Sequence, residues 1–372
     1  MKKIILITLL ITSHFLSAQN KTELKGFVKN IDIDTLVIAQ SQKDIRSSSV
    51  EIPVQKGKMF KYSLKYKYVE AYSIVFKSDL KKGAWRPIIF FPNNKIIEFE
   101  LYPTKEYDNN KINGDNLREQ QLKYEEAFGK KFIKLGDEIY GKIFKLKKDS
   151  DEYNKVKFRL DSLNKAALAF QHHYFLNDNS ILGLNEYVSL LQNADRMLMS
   201  PEFFKDYQDY HLRKRFDHPL NERAVNLYAA LSDVKAGQQF VDVVITDRKN
   251  RSLKLSELIG EKNYVILDLW APWCGPCIKK SKLLKQHYQE IKVNAKIVGV
   301  VGGINNIKIA ETAINQLAYP WENYFEISEK NRIWEKYGIA KSGGAQFVID
   351  RDKNIITVNP TIMELLKIIN SK

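Results

Sequence analysis

The chain has 372 residues, of which 44% are hydrophobic and 28% charged. That length exceeds one ordinary domain, and that balance excludes both extensive disorder and a multi-span membrane protein. The formal net charge is +15, yet the lysines are interleaved with acids, as in Lys123 to Lys131, which argues against a nucleic-acid partner because such a partner calls for a concentrated basic stripe.

Met1-Lys2-Lys3, the apolar run Ile4 to Ile11 and the small-residue site Leu16-Ser17-Ala18 have the layout of a secretory signal peptide over residues 1–18. The apolar run is well short of the ~20 residues that cross a bilayer. No cysteine stands near the cleavage site to accept a lipid. Export to the periplasm, with Gln19 as the new N-terminus, is the expectation.

Residues 19–115 read as a small antiparallel β domain, with β-prone runs at Phe27-Val28, Thr35 to Ile38 and Phe60 to Leu64. Ile88 to Phe91, the turn Pro92-Asn93-Asn94 and the alternating Ile97, Phe99 and Leu101 predict a hairpin with one buried face. From residue 116 to 235 the period changes. Tyr124, Phe128, Phe132, Leu135, Ile139, Ile143 and Leu146 fall on one helical face, and Val156, Leu160, Leu163, Ala167, Phe170 and Tyr174 repeat it after Asp149-Ser150-Asp151. The spacing predicts an antiparallel helical pair, followed by helices over 181–192, 201–214 and 221–231. This helical connector is also a candidate surface for oligomerisation.

Residues 236–372 alternate strand and helix, the pattern of a layered α/β module. Tyr264 to Trp270 and Lys296 to Val301 read as buried strands, and a helix is expected from Cys274 to Ile291. Phe347 to Ile349 and Ile355 to Val358 flank a polar turn, and Asn359-Pro360 predicts the start of a last helix with proline at its first position. Gly302-Gly303 reads as a plain turn.

The chain has two cysteines, Cys274 and Cys277. A pair so close in sequence closes almost no loop and adds little stability, so it reads as chemistry. Cys274 falls at a strand-to-helix junction, where unpaired backbone N–H groups and the helix dipole favour a thiolate. Cys277 stands one turn later, close enough to form an intramolecular disulfide and to release a mixed disulfide. Lys279 and Lys280 add positive charge nearby. Structural zinc needs further ligands that neither a second pair nor the histidine spacing provides, so no metal site is expected. Haem attachment needs a histidine where Ile278 stands.

Leu267-Asp268-Leu269-Trp270-Ala271-Pro272-Trp273-Cys274-Gly275-Pro276-Cys277 resembles the active-site segment of thioredoxin-fold proteins, and more narrowly that of exported TlpA/ResA-like thiol–disulfide oxidoreductases. The resemblance covers residues 236–372 and implies a thioredoxin-like module in that stretch. It implies that Cys274 is the exposed attacking thiol, Cys277 the resolving thiol and Asp268 the buried acid that moves the resolving proton. A carboxyl in an apolar strand also has a raised pKa on physical grounds alone. Trp273 and Pro276 would shape the substrate site. Gly275-Pro276 between the cysteines matches reducing members of the family better than strong oxidants. The expected reaction is exchange with protein thiols or disulfides; it needs no organic cofactor, because the sulfurs carry the electrons, and a reductase outside the cytoplasm needs recharging, which implies a membrane electron donor.

One departure stands out. The family carries a cis-proline ahead of its Phe-hydrophobic-Ile-Asp strand, whereas this chain has Lys341-Ser342-Gly343-Gly344-Ala345-Gln346-Phe347, with Gly344 at the matching position. A non-proline cis bond costs ~2.5–4 kcal/mol, so a trans bond and a reshaped loop are expected. The missing proline also motivates an alternative, a non-catalytic docking or metal-handling protein built on the same module.

Overall fold

The computed structural model describes residues 20–371, apart from 47, 56–57, 84, 194–201, 204, 207–217 and 340–342. The expected signal peptide and most of the expected 201–214 helix lie outside the described residues.

The N-terminal part is a sandwich of two four-stranded sheets. Its strands are β1 (Asn20–Val28), β2 (Thr35–Gln40), β3 (Val50–Pro53), β4 (Met59–Tyr66), β5 (Tyr72–Phe76), β6 (Ile88–Phe90), β7 (Ile96–Leu101) and β8 (Lys111–Asn113), with helix α1 (Lys77–Lys82) between β5 and β6. One sheet runs β4-β1-β7-β8 and the other β3-β2-β5-β6. All pairings are antiparallel except β1 with β7. Leu24, Phe60, Ile97 and Phe99 of one sheet meet Leu36, Ile38, Ile74 and Phe90 of the other in a single core.

The expected hairpin across Pro92-Asn93-Asn94 does not form. Strand β6 pairs with β5, and β7 pairs with β1 and β8, so the turn carries the chain from one sheet to the other. Alternation correctly marks Ile97, Phe99 and Leu101 as inward-facing. The Phe99 ring meets Phe90 edge to face at 5.2 Å across the sandwich, instead of lying beside it in one sheet.

Helices α2 (Arg118–Phe128) and α3 (Lys134–Ile143) are joined by a π-turn at Gly129–Ile133, and α4 (Asp151–Phe175) returns alongside α3. Ser150 caps α4, its hydroxyl oxygen accepting the Tyr153 amide at 3.1 Å. Helices α5 (Ile181–Asn193) and α6 (Pro219–Asp233) follow. Leu220, Ala224 and Leu227 of α6 pack in the helical core, while Ala230 and Val234 at its end pack into the core of the C-terminal module. One helix therefore belongs to both hydrophobic cores.

The C-terminal module contains β9 (Val244–Thr246), β10 (Ser252–Lys254), β11 (Tyr264–Trp270), α7 (Gly275–Gln286), α8 (Tyr288–Asn294), β12 (Ala295–Ile304), α9 (Ile307–Leu317), β13 (Asn323–Ile327), α10 (Ile333–Lys336), β14 (Ala345–Asp350), β15 (Ile355–Val358) and α11 (Ile362–Asn370). Its seven-stranded sheet runs β10-β9-β13-β12-β11-β14-β15, with β11, β12 and β13 parallel and β14 and β15 antiparallel to their neighbours. Apolar cores cover both faces, as a central strand such as β11 requires.

Three local expectations are corrected. The Cys274–Ile291 helix is broken at His287 into α7 and α8. The last helix begins at Ile362 and not at Pro360, because Thr361 and Glu364 form a reciprocal capping box there. Gly302 and Gly303 lie within β12, at an irregularity in its pairing with β13, and not in a plain turn.

Candidate active site

Strand β11 delivers the site. It is an interior strand of the sheet, buried between β12 and β14, and ends at Trp270. Cys274 then takes the N-cap position of α7, with Pro276 in the first helical turn, where a missing N–H costs nothing. The Cys277 amide donates to Cys274 Sγ at 3.2 Å. The two sulfurs are joined as a disulfide, with Cα atoms 5.3 Å apart. A thiolate on Cys274 would accept the same amide hydrogen and lie at the positive end of the helix dipole, both of which favour ionisation.

Cys274 is only 8% exposed in this disulfide-bonded state, so the exposed sulfur implied by the resemblance is covered here. Gly275 and Pro276 are the exposed residues of the motif. Gly343 supplies the cover. A Cβ at that position would stand 2.2 Å from Cys274 Sγ and 3.2 Å from Cys277 Sγ, so its lack of a side chain is what lets the loop close on the sulfurs. Gly344 meets a different neighbour: its Cβ would stand 1.8 Å from the Leu269 carbonyl oxygen, and its φ is +155°. Gly343 thus faces the disulfide, while Gly344 packs on the backbone of β11. There is no cis peptide bond among the described residues.

Asp268 is fully buried on β11, opposite Gln346 of β14 and Gly299 of β12. Ser281 donates its hydroxyl to Oδ2 at 2.7 Å, and the Gln346 amide donates to Oδ1 at 3.1 Å. Burial pushes the carboxyl up to about 6, and the two hydrogen bonds and the nearby Lys280 charge hold it from rising further. Ser281 Oγ also lies 3.1 Å from the Cys277 carbonyl oxygen, a second acceptor for its one proton. Lys280 is half-buried, donates to Asn359 Oδ1 at 2.9 Å, and has its own pKa lowered by burial.

Trp273 is fixed from two sides. Its indole N–H donates to the Gly303 carbonyl at 3.2 Å, and the Arg46 guanidinium stacks 3.3 Å from the ring centre. The structure therefore gathers Cys274, Cys277, Asp268, Trp273, Pro276 and Gly344 at the end of β11, and it adds Ser281, Gln346, Gly343 and Arg46, which sequence reasoning missed. Ser281 had a usable signal. It lies four residues after Cys277, on the same helical face, as a polar residue facing a buried strand.

The family model described as AhpC/TSA family matches residues 236–358. Thiol-disulfide oxidoreductase ResA of Bacillus anthracis is 24% identical over 132 residues, covering 35% of this chain and 72% of that protein. The chloroplastic thioredoxin-like protein CITRX of Solanum tuberosum is 32% identical over 120 residues, covering 30% and 69%. Among solved structures, the thioredoxin domain of a thiol-disulfide oxidoreductase from Bacteroides vulgatus is similar at 21% identity and a TM-score of 0.33, over 36% of this chain and 98% of that one. A thiol:disulfide interchange protein from Bacteroides sp. is similar at 20% identity and a TM-score of 0.33, over 37% and 92%. With its strand order, its Trp-Cys-Gly-Pro-Cys segment and its similarity to the ResA and CITRX proteins, the chain belongs to the thioredoxin-like proteins, as a TlpA/ResA-like thiol–disulfide oxidoreductase carrying an additional N-terminal domain.

Proposed function

We propose that this oxidoreductase works in the periplasm and reduces disulfides of protein substrates, with Cys274 as nucleophile, Cys277 as resolving thiol and Asp268 as proton acceptor. The Cys274 thiolate attacks one sulfur of the partner's disulfide, whose S–S bond breaks and whose other sulfur leaves as a thiolate. Cys277 then gives its proton to the Asp268 carboxylate and attacks Cys274 Sγ. The mixed disulfide breaks, the partner's two thiolates take one proton from Asp268 and one from solvent and depart as a dithiol, and the Cys274–Cys277 disulfide remains. Two electrons have moved, and a membrane electron donor with two protons restores the dithiol.

The observation that carries this reading is the position of Cys274 at the N-terminus of α7, with the Cys277 amide donating to its sulfur. A carboxyl with a pKa of about 6 suits the acceptor role, since most of it is ionised at neutral pH. Trp273 and Pro276 beside the sulfurs, and Gly344 at the adjoining strand, would contact the substrate. The extracytoplasmic assignment rests on the layout of residues 1–18, and the reducing direction on the uncharged Gly275-Pro276 pair. Oligomerisation through the N-terminal region is supported by Phe144 at the end of α3 and Phe158 on α4, 83% and 73% exposed.

The 8% exposure of Cys274 favours a second reading, a docking protein that keeps the dithiol without turnover. Reduction of a short linear peptide with one internal disulfide separates the two. Turnover by the whole chain that Cys274→Ser abolishes supports the reductase, and inactivity of folded protein supports docking.

A further inference from the structure

Arg46 belongs to the loop between β2 and β3, in the N-terminal sandwich, yet its guanidinium carbon lies 3.3 Å from the centre of the Trp273 ring. Asp44 holds the guanidinium in place: Oδ1 accepts the Nε–H at 2.8 Å and Oδ2 accepts an Nη2–H at 2.5 Å. Opposite charges at contact distance largely cancel at longer range, so the pair adds little net field at Cys274. What it adds is a flat, bulky cover on the indole.

The loop is anchored on both sides of Arg46. Ile45 is 8% exposed and sits in a small core with Val37, Ala39 and Val75. The Gln42 amide donates to Asn185 Oδ1 at 2.7 Å and to Ser189 Oγ at 3.0 Å, tying the loop to α5. The Ser48 amide donates to the Asp44 carbonyl at 3.0 Å. With Arg46 on the Trp273 ring and Gly343 against both sulfurs, the residues beside Cys274 that stay exposed are Gly275 and Pro276.

We propose that Arg46 is a specificity-determining residue of the dithiol site: held by Asp44, it covers the face of Trp273 on which a globular partner would lie. Exchange at Cys274 is thereby restricted to disulfides on slender, extended segments that approach over Gly275-Pro276. The inference rests on the proposed exchange activity and deepens it; Arg46 takes no part in making or breaking bonds.

The test compares reduced full-length protein with its Arg46→Ala and Arg46→Lys variants against two substrates, a short linear peptide with one internal disulfide and insulin. Arg46→Ala is expected to leave the peptide rate within about twofold of the parent and to raise the insulin rate at least fivefold, a cation-preserving lysine giving a smaller rise. The peptide rate also reports a folded site. A ratio of insulin to peptide rates unchanged in both variants, or rates that shift together, overturns the inference. If the parent reacts with neither substrate, the exchange activity fails and the inference with it.

Discussion

The Ser281 hydroxyl that donates to Asp268 at 2.7 Å also lies 3.1 Å from the Cys277 carbonyl oxygen, so the buried acid and the second cysteine are linked through one turn of α7. In the proposed reaction, this link joins the acid to the backbone of the resolving cysteine. Attack by Cys277 on the mixed disulfide should therefore quicken as pH rises through about 6, where Asp268 ionises. Rapid-mixing measurement of partner release should show that limb in the parent and lose it in Asp268→Asn, with release at least tenfold slower at pH 7. An unchanged pH profile in Asp268→Asn would remove the carboxyl from the reaction.

The same burial has a stability signature of definite sign. The folded-state pKa of Asp268 is raised from 3.8 to about 6, so between these values the native state holds a proton that the unfolded chain has released. Stability falls as pH rises through that window, by about 3 kcal/mol at most. Asp268→Asn should raise the denaturant midpoint at pH 7 and flatten its dependence between pH 4 and 6.

Glu326 behaves alike at a second place. It is 2% exposed on β13, its Oε1 accepts the Asn331 amide at 2.9 Å, and Oε2 has no hydrogen-bond partner among the described residues. Burial pushes its pKa up to about 7. Glu326→Gln should stabilise the protein at pH 8 by up to about 3 kcal/mol, with no gain at pH 4, where both folded and unfolded carboxyls are mostly protonated. Equal effects at both pH values in chemical denaturation would contradict this.

Two glycines at the dithiol give distinct expectations. Gly343→Ala puts a methyl group 2.2 Å from Cys274 Sγ, so the loop must retreat. A cost of about 1–3 kcal/mol is expected, with altered alkylation of the reduced cysteines. Gly344→Pro should not recover the family's proline. Proline fixes φ near −65°, whereas Gly344 has φ +155°. Thermal melts showing Gly344→Pro as stable as the parent would refute this.

Helix α6 is joined to the C-terminal module by buried charge. Arg223 lies 3.5 Å from Glu335 and 3.7 Å from Glu329, and Arg332 reaches Glu222 at 3.0 Å and Glu335 at 3.1 Å. Glu335→Ala leaves Arg223, 6% exposed, without its most buried counter-charge. A loss of about 3 kcal/mol is expected, together with faster proteolysis near residue 235, where the helix passes into the module.

The parts of this structure legible in the sequence are those set by local spacing. Cys274 and Cys277 at a strand-to-helix junction, the apolar β11 and the stripes of α2 to α4 all follow from neighbours within a few residues. The stripes place Ile139 and Leu160 inward, as found, whereas Leu135 and Tyr174 of the same stripes are 40% and 37% exposed. What escaped depends on pairing between distant segments. Alternation reports which face of β6 and β7 is buried, but not which strands lie beside them. Gln346 reaches Asp268 because β14 pairs with β11 in one particular register, and Arg46 meets Trp273 because a loop of the sandwich closes on the module. No residue near either partner signals such contacts.

In the proposed exchange, Cys274 makes the first bond to the substrate and Cys277 breaks it. Mass measurement of adducts formed when reduced Cys277→Ala and Cys274→Ala proteins meet a disulfide-bearing peptide tests that order directly. A stable one-to-one mixed disulfide on Cys274 in the first variant, with the second unreactive, is the predicted result. Equal or preferential adduct formation on Cys277, or none on Cys274, would contradict it.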